Sequence, residues 1–183
     1  NVVGASTVST TLASGDFTAN NGTLLANYIL PTTAAGTGVI TAKALTASLA
    51  SQSRIYDGST TSLIAAGDVT LSGFVTVNGS TQSATVGTLT GNYGYLNNGS
   101  FVTSKNVADV TSASANLTAG DVTVGSGTLL SNYALPTTVT GTGALSLKAI
   151  TASGYSVATK TYDRTATANI IGSGTLGGVA EKT

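Results

Sequence analysis

Apolar and polar residues alternate with a period of two in two well-separated stretches of the chain. Ile40, Ala42 and Ala44 are interleaved with Thr41 and Lys43, and Leu145, Leu147 and Ala149 with Ser146 and Lys148. That period places alternate side chains on opposite faces of an extended backbone, so both stretches predict strands with one inward face. Directly afterwards the phase slips, with Leu45, Ala47 and Leu49 apolar and Thr46 and Ser48 polar. A one-residue slip exchanges the two faces. It predicts a bulge, or a handover in which the last strand of one unit runs into the first of the next. Further short strands are expected at 68–72, 74–77, 84–89, 99–103, 107–112 and 121–124. Turns such as Asn78-Gly79 and Asn97-Asn98-Gly99 separate them. No stretch carries a 3.6-residue apolar stripe, so the pattern predicts an all-β chain.

The pattern recurs because the sequence does. Gly22 to Ser48 and Gly127 to Ser153 lie 105 positions apart and share 18 of 27 residues, which marks an internal repeat. Tyr56-Asp57 returns as Tyr162-Asp163, and Asn1-Val2 aligns with Asn106-Val107. Placing the boundary at the phase slip makes 1–44 the C-terminal part of a repeat, 45–149 a complete repeat and 150–183 the N-terminal part of a following one. The two end pieces together fall 27 residues short of a full repeat, which favours a window on a longer chain. Short strands at this rhythm fit tandem Ig-like β-sandwich repeats of about 105 residues. A parallel β-helix is the rival, but its coils recur roughly every 20 to 30 residues.

Composition removes several kinds of chemistry. With 7 basic and 7 acidic residues and only 8% charged, the chain builds no field to attract nucleic acid or an anionic membrane. His and Cys are absent, so imidazole catalysis, thiolate chemistry and disulfides are excluded, and no cofactor is expected. Low charge with 41% hydrophobic residues predicts folding and not disorder. No apolar run approaches the roughly 18 residues that cross a bilayer, and the first residues lack the pattern of a signal peptide.

Tyr56-Asp57-Gly58-Ser59-Thr60-Thr61, Leu71-Ser72-Gly73, Phe101 with Lys105-Asn106-Val107, Asn132-Tyr133-Ala134-Leu135 and Leu147-Lys148-Ala149-Ile150-Thr151 follow one another in this order. The series resembles the YDG and MBG repeat domains of bacteria. These are Ig-like modules arrayed in large secreted exoproteins, among them adhesins related to filamentous haemagglutinin. The resemblance covers the central unit, and each end piece matches it in turn. Arg164 stands where Gly follows Tyr-Asp, and Ala108 where Gly follows Lys-Asn-Val. The likeness implies a secreted chain of the cell surface or extracellular matrix, a stalk or adhesive role, and no catalytic residues.

Tyr56 and Asp57 are candidate ligand contacts, since an exposed Tyr beside a carboxylate is a common sugar-binding pair. The competing reading packs Tyr56 at an edge and uses Asp57-Gly58 as a turn. Tyr93 and Tyr95 are further candidate stacking surfaces for a glycan. Gly-Asp-x-Thr occurs at Gly15, Gly67 and Gly120. Calcium wants about six to eight oxygens and no second acid lies within local reach, so these read as turns into strands. Pro31 and Pro136 should end strands or sit on edges, with Tyr28 and Tyr133 as packed corners. Asn21, Asn78, Asn98 and Asn116 head glycosylation sequons by pattern. Lys43, Lys105 and Lys148 are the lysines an isopeptide cross-link would use.

These readings favour a structural and adhesive segment of a secreted bacterial fibre whose partners are neighbouring repeats, end to end, together with surface or matrix glycans. A filament subunit joined by β-strand complementation, in which 150–183 pairs with 1–44 of the next chain, is an alternative. So is a carbohydrate-binding module, although only 5% of residues are aromatic. An enzyme is the least supported class.

Overall fold

The Thr- and Val-rich alternating segments form strands, and the Gly, Asn and Asp clusters between them form turns. A computed structural model describes residues 1–180, and all of its regular structure is β apart from four single-turn 3-10 segments. The first 44 residues contribute β1 (Thr7–Thr11), β2 (Thr33–Thr37) and β3 (Lys43–Ala44). Then come β4 (Thr46–Leu49), β5 (Gln52–Ile55), β6 (Thr61–Ile64), β7 (Val69–Ser72), β8 (Thr76–Val77), β9 (Ser80–Thr81) and β10 (Ala84–Val86). The central unit is completed by β11 (Leu89–Asn97), β12 (Ser100–Thr103), β13 (Ser112–Asn116), β14 (Val122–Val124), β15 (Tyr133–Ala134) and β16 (Thr138–Ser146). Finally come β17 (Thr151–Ser153), β18 (Ser156–Val157), β19 (Ile170–Ile171) and β20 (Thr175–Gly177).

One mixed sheet of six strands organises the central unit in the order β12-β11-β13-β16-β5, with β6 pairing the first half of β11. Among the described residues its one parallel pair is β16 with β5, Gly143 opposite Gln52 and Ser146 opposite Ile55. Smaller ladders join β4 to β7 and β10 to β14. The core fills the space between them. Leu49, Val69, Leu71 and Val86 come from the small ladders, and Ile64, Leu89, Tyr93, Ala113, Val139 and Leu145 from the large sheet. Alternation produces this, as in β7, where Val69 and Leu71 are buried while Thr70 and Ser72 are exposed. Each fully buried Val, Leu or Ile stabilises the fold by about 1.5–3 kcal/mol.

The repeat in sequence is a repeat in structure. Thr7 opposes Thr37 as Ser112 opposes Thr142, so β1–β2 reproduces the β13–β16 register. Thr151 opposes Gly177 as Thr46 opposes Ser72, so β17–β20 reproduces β4–β7. Asn78-Gly79 and Asn98-Gly99 are two-residue hairpin loops with positive φ at both positions, 50° and 80°, 49° and 82°. This is the type I′ geometry expected of Asn-Gly.

Several expected strands are displaced. Residues 40–42 pair with nothing regular and Ile40 is 55% exposed, leaving Lys43–Ala44 as the strand. In the second copy the strand stops at Ser146, and Leu147 is 83% exposed. The segment 107–112 is mostly turn, held by N–H bonds from Asp109 and Val110 to the Asn106 carbonyl, and the strand follows as β13. At the phase slip β3 and β4 join different ladders, and Leu45 alone, buried to 5% exposure, separates them.

Candidate functional site

The Tyr-Asp-Gly segment leaves the sheet directly after β5, which is pinned to β16 through Tyr56 N–H donating to the Ser146 carbonyl at 2.9 Å. Asp57 turns back on its own chain. Its Oδ1 accepts the Ser59 N–H at 2.9 Å, an Asx turn that Gly58, at φ 82°, completes in the left-handed region. Arg54 closes the turn from the strand side, with Nη1 donating to Asp57 Oδ2 and Nη2 meeting Oδ1, both at 2.9 Å. The same Nη2 donates to the Ser59 carbonyl. Its guanidinium carbon sits 5.1 Å from the Tyr93 ring centroid, a cation–π contact.

This construction is repeated at the corresponding place in the last segment. Lys160 Nζ lies 2.7 Å from Asp163 Oδ1, which also accepts the Thr165 N–H at 2.9 Å. Nζ donates to the Thr165 carbonyl at 3.2 Å, as Arg54 does to Ser59. Arg164, at φ 64°, takes the Gly58 conformation. Lys160 first, then the Thr165 N–H and hydroxyl, hold the Asp163 carboxyl below its ordinary range. The basic residue three positions before the Asp is the functional partner that sequence reasoning missed. Its signal was a cation at the same place in both copies.

The tyrosines do not converge. Tyr93 is 3% exposed and lies in the core, so its ring is closed to a ligand and the expectation of a stacking surface there is corrected. The cause is the alternation of β11, which turns Tyr93 inward beneath Arg54. Tyr95 is half-buried opposite Val102. Tyr56 is half-buried against the core and borders an open cavity of ≈ 400 Å³ with Lys105, Asn106, Val107 and Leu147. Asp57 has both oxygens engaged, so the pair presents a turn and not a free carboxylate beside a ring.

The three Gly-Asp-x-Thr sites share one geometry. Asp16, Asp68 and Asp121 each donate N–H to the carbonyl three residues back and accept that residue's N–H on Oδ2, at 2.8, 3.3 and 2.8 Å. At the third site the Thr118 hydroxyl adds a bond of 2.6 Å, and it is the leading cause of a lowered Asp121 pKa, followed by the Thr118 N–H. Among the described residues no three acidic side chains gather where a metal could bind.

A second constellation lies where the first segment meets the central unit. Lys43–Ala44 pairs in parallel with Tyr133–Ala134, the Leu45 N–H reaches the Ala134 carbonyl at 2.9 Å, and the Val2 N–H donates to Asn132 Oδ1 at 2.9 Å. Tyr133 is buried, edge-on to Phe74 at 5.1 Å. Its hydroxyl accepts the Val75 N–H at 3.2 Å and donates to Gln82. Pro136 follows β15 and Pro31 precedes β2, both at strand ends. Tyr133 is the packed corner expected, whereas Tyr28 is 64% exposed. Comparison with family models, with curated proteins and with solved structures returns no match.

Proposed function

We propose that the chain is a structural and adhesive segment of a secreted bacterial surface or matrix fibre, in which Ig-like β-sandwich units stack end to end. The observation that carries the reading is the junction. β3 ends one unit while hydrogen-bonded to β15 of the next, and the chain enters β4 through a single buried residue, Leu45. A connection of one residue already packed in the core leaves no flexible linker, so successive units keep a fixed orientation.

The Ig-like part of the reading is supported by the path of the first strands. β4 pairs antiparallel with β7, after which the chain crosses to the large sheet and β5 pairs in parallel with the last strand, β16. Tension applied at residues 45 and 149 pulls β5 and β16 in opposite directions along their common axis. The ladder is then loaded in shear, with its bonds sharing the force together. That suits a load-bearing stalk. Secretion and a bacterial source rest on the resemblance to YDG and MBG repeats.

Single-molecule extension of the 183-residue chain, with limited proteolysis beside it, tests the proposal. One high-force event from the central unit and resistance at Ala44-Leu45 are expected. Rapid cleavage at that bond, or gradual low-force unravelling, would refute it.

A further inference from the structure

Two Asn-Gly steps lie inside the central unit, at Asn78-Gly79 and Asn98-Gly99. A glycine after asparagine carries no Cβ to shield its backbone nitrogen, which can then attack the side-chain carbonyl carbon of the asparagine. Both asparagines are exposed, and a Cβ on either glycine would meet nothing within 4 Å, so neither step is guarded sterically. Both loops hold Asn in the left-handed region, at φ 50° and 49°. There the glycine nitrogen is turned away from the side-chain carbonyl, and ring closure waits for the hairpin to open.

The two hairpins differ in what keeps them shut. Asn98 joins β11 to β12 across four paired positions, Gly94 opposite Thr103 through Asn97 opposite Ser100, and β11 is held further by β13 and β6. Asn78 joins β8 to β9 across two, Thr76 opposite Thr81 and Val77 opposite Ser80, and among the described residues that ladder pairs with no other strand. The short hairpin opens first. It also supports the joint between units. The Val75 N–H donates to the Tyr133 hydroxyl at 3.2 Å, and that hydroxyl donates to Gln82. Val75 and Gln82 close the hairpin through the Gln82 N–H on the Val75 carbonyl at 2.9 Å. The backbone of the same Tyr133 pairs with Lys43 of the preceding segment.

We infer that Asn78 is a modification site, at which intramolecular deamidation loosens the joint. The Gly79 nitrogen gives up its proton and bonds to Asn78 Cγ. The Cγ–Nδ2 bond breaks, and Nδ2 departs as ammonia with a proton returned by water, leaving a five-membered succinimide. Water then opens the ring at one of its two carbonyls. Opening at Cγ gives an ordinary aspartyl residue, which adds a negative charge to a chain of net charge zero and leaves the main chain unaltered. Opening at the main-chain carbonyl gives an isoaspartyl residue, whose backbone runs through Cβ and Cγ and is one methylene longer. A two-residue loop has no slack for the added atom. Val77 then no longer meets Ser80, and Val75 and Gln82 are drawn off the Tyr133 hydroxyl. The effect on the joint rests on the tandem reading, whereas the chemistry at Asn78 does not.

The test is incubation of the 183-residue chain at mildly alkaline pH in heavy-oxygen water, followed by peptide mapping and separation of the isoaspartyl product. Asn78 should convert at least about tenfold faster than Asn98, because the second hairpin has more paired positions to open. In the purified isoaspartyl form the amides of Val75 and Leu45, which bond to the Tyr133 hydroxyl and the Ala134 carbonyl, should lose protection from exchange while those of β13 keep it. Asn78→Gly cannot deamidate and suits the left-handed loop, so it should keep both amides protected through the same incubation. Asn78→Asp should keep them too, which separates added charge from added backbone length. Equal rates at Asn78 and Asn98, or a faster Asn98, overturn the site. Unchanged Val75 and Leu45 amides in the isoaspartyl form, or their loss of protection in aged Asn78→Gly, overturn its effect on the joint. Rapid cleavage at Ala44-Leu45 in the fresh chain would refute the stiff joint and leave the order of asparagine reactivity standing.

Discussion

Arg54 grips Asp57 at two points, Nη1 on Oδ2 and Nη2 on Oδ1, each at 2.9 Å. The pair spans three residues of sequence and turns Tyr-Asp-Gly from a surface motif into a clasp on the end of β5. Arg54 is partly buried, with Nε shielded from water and without a partner, so removing the carboxylate leaves a guanidinium poorly solvated. Asp57→Ala should cost about 1–2 kcal/mol, discounted from a buried pair because the carboxylate is half exposed. Arg54→Lys should cost less, about 0.5–1 kcal/mol, since Lys160 makes the same clasp without a fork. Urea unfolding of the variants checks both, and equal losses would contradict the two-point geometry.

The third position of the clasp needs a left-handed residue. Gly58 adopts φ 82° freely, while Arg164 is held at 64°, a region disfavoured by about 1 kcal/mol for a residue with a Cβ. Arg164→Gly should therefore slow amide exchange in the Lys160–Thr167 turn by roughly fivefold, the equivalent of about 1 kcal/mol. Gly58→Ala should lower the stability of the central unit by a similar amount. Faster exchange in Arg164→Gly would mean that the Arg side chain contributes more than its backbone costs.

What the sequence made legible was local. Asn78-Gly79 and Asn98-Gly99 need only their own φ preferences to form hairpin loops, and Val69 to Ser72 alternates cleanly enough to read as a strand. β13 was hidden because Ser112-Ala-Ser-Ala-Asn116 has weak strand preference and becomes a strand through pairing on both sides, with β11 and β16. β11 was hidden by Gly91 and Gly94, which read as breakers. Their Cβ atoms would lie 2.3 Å and 2.0 Å from neighbouring carbonyl oxygens, so glycine is there for close approach. The clasp was half legible. Tyr-Asp-Gly announced a turn, but that Arg54 would fold back onto it, over a buried Tyr93, depended on long-range packing.

The Asp121 turn gives a pH dependence whose sign is fixed. Its carboxyl is lowered by the Thr118 hydroxyl first and the Thr118 N–H second, so the charged form is the one the folded turn favours. A depressed folded pKa contributes stability that is present above the ordinary aspartate range and is lost as pH falls through the lowered value. NMR titration should place the Asp121 midpoint below that of an unstructured aspartate. Thr118→Ala should move the midpoint upward while keeping the backbone bond. A midpoint unchanged by Thr118→Ala would remove the hydroxyl as the leading cause.

Gly141 and Gly36 occupy the same place in two copies of the repeat with opposite surroundings. A Cβ at Gly141 would press 2.6 Å from the Leu49 carbonyl oxygen and 2.9 Å from its Cβ, both on the neighbouring strand β4, whereas one at Gly36 enters open space. Gly141→Ala should force the β4–β16 contact apart and cost about 1–3 kcal/mol by overpacking. Gly36→Ala should be neutral or should stabilise the hairpin by up to about 0.5–1 kcal/mol, because Ala loses less backbone entropy in a strand. Thermal unfolding of the central unit and amide exchange in β1–β2 separate the two effects.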